Sequence, residues 1–408
     1  MLNQRCDEMK VMRDPVHEYI HIEYQVIWDV INSREFQRLR RIHQTGTSFL
    51  VYHTAEHSRF SHSLGVYEIV RRMISEVKSL SEALSEDEKI QVMLAGLVHD
   101  LGHGPFSHFF ESVTEISHET MTAHILLGTS DVHSVLKSYD DSLPDVLVSI
   151  LSHTHPNSIL SSIISGQLDA DRMDYLLRDA MFTGTSYGQF DLGRILRTLR
   201  VVDQRLVIKE SGVHSVEDYI MARYHMYWQV YYHPTSRSVE AILSGFFQRL
   251  KDLLKDNAER LKQYPMFCLL NPDDALDIEA HHRLDESACI YGFQCALDDE
   301  DDILRDFARR MLERDIFVYE DVRDEAQVET LKTALMTAGF DPTYYLYQDR
   351  AEKRPYSPYD EASGLIYILR TDGSIQELSN VSTIVSSIAR GQAKSERKMF
   401  YPKEMRPS

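Results

Sequence analysis

Residues 91–119 read QVMLAGLVHDLGHGPFSHFFESVTEISHE. The stretch begins as an apolar helix, with Val92, Leu94, Ala95, Leu97 and Val98, and delivers His99-Asp100 at its end. His103, His108, Glu111, His118 and Glu119 follow, with Gly102, Gly104 and Pro105 bending the backbone between them. A His-Asp pair alone is most often a satisfied core pair. Here two other segments supply matching groups: His62 in HSRFSHSLG (57–65) and Asp171 in QLDADRMDYLLRDA (167–180). Two imidazoles and two carboxylates suit a divalent cation. Mn²⁺, Fe²⁺ and Zn²⁺ fit this set, and Mg²⁺ fits it less well because it favours oxygen over imidazole. Ligands drawn from three segments need a fold to gather them, and a helical bundle core does that.

The composition narrows the class of protein. A chain of 408 residues predicts two or three domains and ample material for a core. Hydrophobic content of 43% and charged content of 26% fit a globular protein, not a disordered or fibrous one. Cys6, Cys268, Cys289 and Cys295 are scattered with no Cys-x-x-Cys, which argues against a disulfide framework and for a reducing cytoplasm. The opening MLNQRCDEMK is too polar for a signal peptide, and no apolar run approaches the ~18 residues of a spanning helix. A formal charge of −19 disfavours sequence-independent binding of nucleic acid, but leaves room for a basic pocket around a small anion.

Residues 10–24 alternate as an extended arm or hairpin, and 25–43 read as a helix broken near Asn32-Ser33. Residues 34–41 hold four arginines: Arg34, Arg38 and Arg41 share one helical face, while Gln37 and Arg40 point elsewhere. A helix is expected from near Ser61 to Val77, then a charged turn over 81–90. Residues 158–180 read as helical, with Asp171, Asp174, Tyr175, Arg178 and Asp179 on one face, a pattern suited to a pocket wall. The loop TGTSYGQF (183–190) carries no nucleotide-loop signature. Ser215-Val216-Glu217-Asp218 reads as a capping box opening a helix to about Tyr232. After Pro265 the composition changes. Helices are expected at 300–313 and 325–338, strands at 316–322, 343–349 and 365–370, and a hairpin turn at Thr371–Ser374. The closing KSERKMFYPKEMRPS reads as a mobile or docking tail.

The blocks AEHSRFSHSLG (55–65), AGLVHDLGHGPFSH (95–108) and DADRMDYLLRDA (169–180) resemble those of the HD-domain phosphohydrolases. Within that group the likeness is to the deoxynucleoside triphosphate triphosphohydrolases, bacterial HD-type enzymes and vertebrate SAM-and-HD-domain enzymes alike, over roughly residues 10–245. The resemblance implies a mainly α fold with an HD helical bundle over 1–263, and the helix and strand patterns after Pro265 add a smaller C-terminal α+β domain over 264–408. It implies that His62, His99, Asp100 and Asp171 hold the metal. Arg59, His103, Arg172 and Tyr175 would meet the phosphates. His108 and His118 would be candidates for the general acid, with Glu111 orienting an imidazole and His103 beside them. Gln44 and Asp179 would bind the sugar 3′-hydroxyl, Tyr231 would crowd a 2′-hydroxyl, and Arg223 and Tyr232 would line the adjoining wall.

The same resemblance implies an activating nucleotide, dGTP first, on Lys10, Val11, Asn32, Gln37 and Arg40 at a subunit interface of a tetramer or dimer. Three positions depart from the pattern: Arg172 stands where relatives carry Lys, Glu111 where many carry Asp, and Asn32 where some carry Asp. Asn32 offers one carbonyl oxygen and adds a donor pair, which weakens recognition of guanine. The competing readings are an HD-type phosphodiesterase or alarmone hydrolase, and a nucleotide-sensing regulator with a dead site; an exonuclease suits the acidic charge least.

Overall fold

The computed structural model describes residues 1–256, 258–270, 276–353, 364–390 and 394–406. An antiparallel hairpin opens the chain, β1 (Arg5–Asp14) against β2 (Glu18–Tyr24), with Asp14 opposite Glu18. Short helices α1 (Gln25–Ile31) and α2 (Arg34–Arg38) follow, broken at Asn32-Ser33 as the sequence predicts. The bundle comprises α3 (Arg59–Glu76), α4 (Lys78–Ala83), α5 (Glu86–Val98), α6 (His108–Thr114), α7 (His118–Leu127), α8 (Asp131–Tyr139), α9 (Leu143–Leu151), α10 (Ser158–Ile164), α11 (Ala170–Thr183) and α12 (Leu192–Thr198). The hairpin β3 (Leu199–Val202) and β4 (Arg205–Lys209) leads to α13 (Val213–Met226), a π-helical turn over Tyr227–Tyr231, and the long α14 (Pro234–Asp256).

Beyond it lie α15 (Ala258–Leu261), α16 (Phe267–Leu270), α17 (Ile278–Arg283), α18 (Glu286–Ala296), α19 (Asp302–Glu313), β5 (Val318–Asp321), α20 (Glu325–Thr337) and α21 (Pro342–Tyr345). The chain ends with β6 (Tyr347–Lys353), β7 (Tyr367–Leu369), β8 (Ile375–Glu377), α22 (Leu378–Val381), α23 (Thr383–Arg390) and β9 (Lys394–Tyr401). The fold is therefore a mainly helical HD bundle followed by a mixed α/β region.

The helices bury their apolar faces in two cores. The first gathers α3, α5 and α11, whose Val66, Ile69, Leu94, Leu97, Met173 and Leu176 are all inaccessible to solvent. Burial on this scale supplies most of the folding drive, at about 25 cal/mol per Å² of apolar surface. The second centres on α14 with Ile242, Phe246 and Phe247, and takes in Phe106 and Phe110 from the stretch 91–119. Chain order does not separate the two cores. β7 pairs in parallel with β4, and Ile366, Ile368 and Leu378 join the first core. In the other sheet β9 lies between β5 and β6, antiparallel to both.

Five local expectations need correction. The helix expected over 158–180 is two helices, α10 and α11, with Asp169 extended between them as the N-cap of α11. The charged stretch 81–90 contains a capping box: Ser85 accepts from the Glu88 amide, the Glu88 carboxylate accepts from the Ser85 amide, and α5 starts there. The box read at Ser215 does not form. α13 begins at Val213, and Glu217 instead takes hydrogen bonds from His214 and Ser382. Of the strand expected at 343–349, only the part from Tyr347 is extended, because Asp341 caps a short helical turn with Pro342 at its first position. The closing segment is no loose tail: β9 buries Met399, Phe400 and Tyr401 between two strands. Among the described residues, no helix is long and apolar enough to cross a membrane.

Candidate metal centre

Three helix termini make the centre. His62 lies in the first turns of α3, His99-Asp100 at the C-terminal end of α5, and Asp171 in the first turn of α11. His62 Nε2 stands 3.0 Å from Asp171 Oδ1 and 3.7 Å from Asp100 Oδ2. His99 Nε2 stands 3.2 Å from Asp100 Oδ1 and 3.5 Å from Asp171 Oδ1. The four ligands named from the sequence therefore converge. Gly65 allows α3 and α11 to approach: a β-carbon there would fall 1.9 Å from Asp174 Oδ1. Gly102 is equally confined, because a β-carbon there would meet the His118 carbonyl oxygen at 2.1 Å.

The charges inside the cluster compensate one another. Burial alone would lower the His62 imidazolium, but hydrogen bonds to Asp171 and Asp174 and the nearby carboxylate charges raise it to about 10. Burial alone would raise Asp100 and Asp171. The Arg59, His99 and His103 charges hold Asp100 well below the usual carboxylate range, and the hydrogen bond from His62 and the nearby imidazole of His99 do the same for Asp171. The ring of His99 is fixed by Nδ1–H donating to the Gly96 carbonyl at 2.9 Å, and its buried Nε2 has no aligned hydrogen-bond partner. A buried imidazole nitrogen aimed at two ionised carboxylates has the donor chemistry of a site for a divalent cation. His62, His99 and Asp100 form one such group, with ligand atoms all within 4.8 Å of one another.

The orienting groups behind the ligands were mostly hidden from sequence reading. His62 Nδ1 donates to Asp174 Oδ2 at 2.8 Å, and Asp174 also takes His17 at 2.6 Å and two hydrogen bonds from Arg178 at 2.9 Å. Arg178 in turn reaches Asp14 on the first hairpin at 2.9 Å. The sequence marks Asp174 as sharing the face of Asp171. Nothing local marks His17, which reads as a surface or packing residue and is buried against Asp174.

The catalytic candidates stand beside the cluster. His103 Nε2 is 3.3 Å from Asp100 Oδ1, and its ring stacks on His118 with centroids 3.8 Å apart. One oxygen of Glu111 accepts from Nδ1 of both His108 and His118 at 2.8 Å. Burial would raise Glu111, and those two hydrogen bonds instead hold it far below its usual value. A cavity of about 410 Å³ opens on His99, Asp171 and His118.

The residues expected on substrate are less uniformly placed. Arg59 reaches Asp100, Ser107 Oγ at 3.2 Å and the Gln44 carbonyl at 3.5 Å. The buried Oε1 of Gln44 has no hydrogen-bond partner among the described residues. Asp179 accepts from Tyr231 at 2.6 Å and from His57 at 2.7 Å, a histidine the sequence did not single out. Tyr175 has its ring centroid 6.4 Å from that of His62 and 6.0 Å from that of Tyr231. Burial, reinforced by neighbouring charge and phenols, raises Tyr175 and Tyr231 well above the usual phenol value, so both remain donors. The heads of Arg172 and Arg223 are turned to protein partners, Asp169 and Gln167. Tyr232 packs on Tyr227 and Trp228.

Of the residues expected at an effector site, Gln37 Oε1 accepts from Arg40 Nε at 2.9 Å, and Arg40 lies over Phe60. Asn32 Nδ2 donates to the Trp28 carbonyl, while Lys10 and Val11 sit on β1, with Val11 exposed.

Comparison with known proteins now bears on this geometry. The HD domain profile matches residues 59–179, and an HD associated region follows over 190–286. The Bacillus subtilis protein YwfO is 45% identical over 410 residues, covering 99% of this chain and 94% of its own. The solved structure of a phosphohydrolase from Bacteroides thetaiotaomicron superposes with a TM-score of 0.85 at 30% identity, covering 97% of this chain and all of that one. The chain belongs to the HD-domain phosphohydrolases. A more distant relative, the Dictyostelium discoideum homologue of the deoxynucleoside triphosphate triphosphohydrolase SAMHD1, is 31% identical over 272 residues, which cover 62% of this chain and 52% of that one. The HD phosphohydrolase fold and its His/Asp clusters together support a metal-dependent phosphohydrolase.

Proposed function

We propose that this HD-domain phosphohydrolase cleaves deoxynucleoside triphosphates to deoxynucleoside and inorganic triphosphate, in an oligomer activated by a nucleotide. The Asp179–Tyr231 pair carries the reading. Asp179, on the helix that carries Asp171, accepts from the phenol of Tyr231 on the π-helical turn, and a sugar edge would lie against this carboxylate and phenol. Kinship with the Dictyostelium triphosphohydrolase homologue supports the same choice.

His62, His99, Asp100 and Asp171 would hold a divalent ion, whose identity the donor set leaves among Mn, Fe, Zn and Mg. Such an ion neutralises phosphoryl charge and acidifies water. The protein supplies the rest. Arg59 and Arg172 bring forked donors to the phosphates, Arg172 by leaving Asp169, beside His103 and Tyr175, while Arg223 lines the adjoining wall. Water attacks the α-phosphorus, and the leaving sugar oxygen takes a proton from an imidazole. With Glu111 ionised, Nδ1 of both His108 and His118 carries hydrogen toward it, so each Nε2 is the atom that exchanges protons. Tyr231 crowds a 2′-hydroxyl and favours deoxyribose. Gln37 and Arg40 would face an activating nucleotide, dGTP first, with Lys10, Val11 and Asn32 contributing.

The test is product analysis with each dNTP, singly and in pairs, in the presence of Mn²⁺. Tripolyphosphate, appearing only when a second nucleotide is added and lost in Arg40→Ala with metal content unchanged, supports the whole reading. Monophosphate or pyrophosphate as product would replace it with a phosphodiesterase. Equal rates on ATP and dATP would remove Tyr231 from its role.

A further inference from the structure

Three of the four arginines in 34–41 engage one short segment, Arg34 and Arg41 from the surface and Arg38 from the interior. Arg34 donates to Glu279 at 2.8 Å and Arg41 pairs with Asp285. Arg38 is 1% exposed, and its hydrogen bonds all go to backbone carbonyls: Nε and Nη2 to Leu284, at 2.9 Å for Nε, and Nη1 to His103 at 2.8 Å. From the same segment His281 Nε2 donates to the Gly102 carbonyl at 3.1 Å. Glu286 Oε1 accepts from the Phe106 amide at 3.0 Å and from the His43 amide at 3.1 Å. Side chains remote in sequence thus hold the backbone of Gly102, His103 and Phe106.

The loop has a physical need for this grip. Phe106 and Ser107 both have positive φ, +60° and +56°, in a region side-chain-bearing residues seldom adopt. Two such residues in succession persist only where the surroundings over-determine them. His103 stands three residues before the turn and must keep both its stack on His118 and its approach to Asp100.

We propose that Arg38, with His281 and Glu286, is a positioning clamp that fixes the His103 loop for catalysis. An arginine is required because the fork must bridge two carbonyls from different segments, which a lysine's single ammonium on a flexible stem cannot reproduce. None of the three is placed on the substrate or the metal.

The experiment compares wild type, Arg38→Lys and His281→Leu in the full chain. Hydrogen exchange is read on the 101–107 amides, together with metal content, kcat and KM. Arg38→Lys keeps the charge, and His281→Leu removes one donor from the clamp, so a variant that fails to fold does not end the test. The clamp predicts faster exchange confined to the loop, unchanged metal content, and a kcat lower by about 10–100-fold, with KM within about twofold. Native exchange in both variants overturns it, and so does faster exchange with wild-type kcat. The kinetic arm rests on the proposed dNTP reaction; the exchange arm does not. A wild type inactive on dNTPs would sink that reaction and leave the clamp to be judged by exchange alone.

Discussion

Asp174 is a buried carboxylate and Glu240 a half-buried one, and the two regions that hold them treat charge in opposite ways. Beside the first core, Asp174 accepts from His17, His62 and Arg178, and those partners hold it ionised although burial pushes the other way. On α14, beside the second core, Glu240 makes no hydrogen bond among the described residues. Burial and the Asp349 charge push it up to about 7, against the opposing pull of Arg237. Partners decide the protonation state, and burial alone does not. The first region concentrates paired charge where chemistry needs it; the second carries a carboxylate that the fold merely tolerates.

The largest effect should come from the ligands themselves. His99→Ala and Asp171→Ala should each lose bound metal and activity together while keeping native circular dichroism, since each removes one donor from a single cluster. Turnover and metal content at wild-type level in either variant would end the assignment of the cluster as a metal centre. Glu240→Gln is the matched control in the other region, and should leave metal content and rate unchanged.

Next in size are the proton-transfer residues. His118→Ala and His108→Ala should keep the metal and lose about 10²–10⁴-fold in rate. Metal content falling in step with rate would make these histidines ligands instead, a possibility the geometry raises by grouping His108, Glu111 and His118 within ligand distance of one another.

A third change tests the pairing directly. Asp174→Asn preserves the shape of the side chain but removes the charge facing His62 Nδ1. Groups that orient a ligating imidazole typically change metal affinity by about 10–100-fold. Calorimetric titration with Mn²⁺ should show a loss of that order, smaller than for loss of a ligand. Unchanged affinity would mean that His62 is positioned by packing alone.

The sequence made the four residues of the His/Asp cluster readable because each lies in a short local block at a helix end. It made the partners of those residues much harder to read. His17 and Asp174 are 157 residues apart, and His57 and Asp179 are 122 apart, so no window of sequence contains either pair. The common face of Arg34, Arg38 and Arg41 was legible from spacing, but the segment it grips was not. The helical bundle and the later α/β region followed from periodicity and composition. The parallel pairing of β7 with β4 did not, because non-local pairing leaves no signature in either strand. The last strand was misread for the opposite reason: its charges (Lys394, Glu396, Arg397, Lys398) dominate the local pattern, while Met399, Phe400 and Tyr401 do the packing.

The smallest effect should appear in stability, and it follows from Glu240. The carboxyl titrates near 4.3 in an unfolded chain and near 7 in this fold, so between those values the native state holds the proton more tightly. Stability linked to this group is therefore fully present below about 4.3, falls as pH rises through the window, and levels off above about 7. Glutamine mimics the neutral form and has no proton to lose. The melting temperature of Glu240→Gln should match wild type near pH 5 and exceed it by a few degrees at pH 8, with the gap opening across the window. The groups facing Glu240 include Arg237, Asp349 and Tyr347, and none of these is exchanged between the two proteins, so their own titration largely cancels in the difference. A gap that stays constant from pH 5 to pH 8 would show that Glu240 is ionised throughout. The contrast with Asp174 would then be one of partners alone, with no difference in charge state.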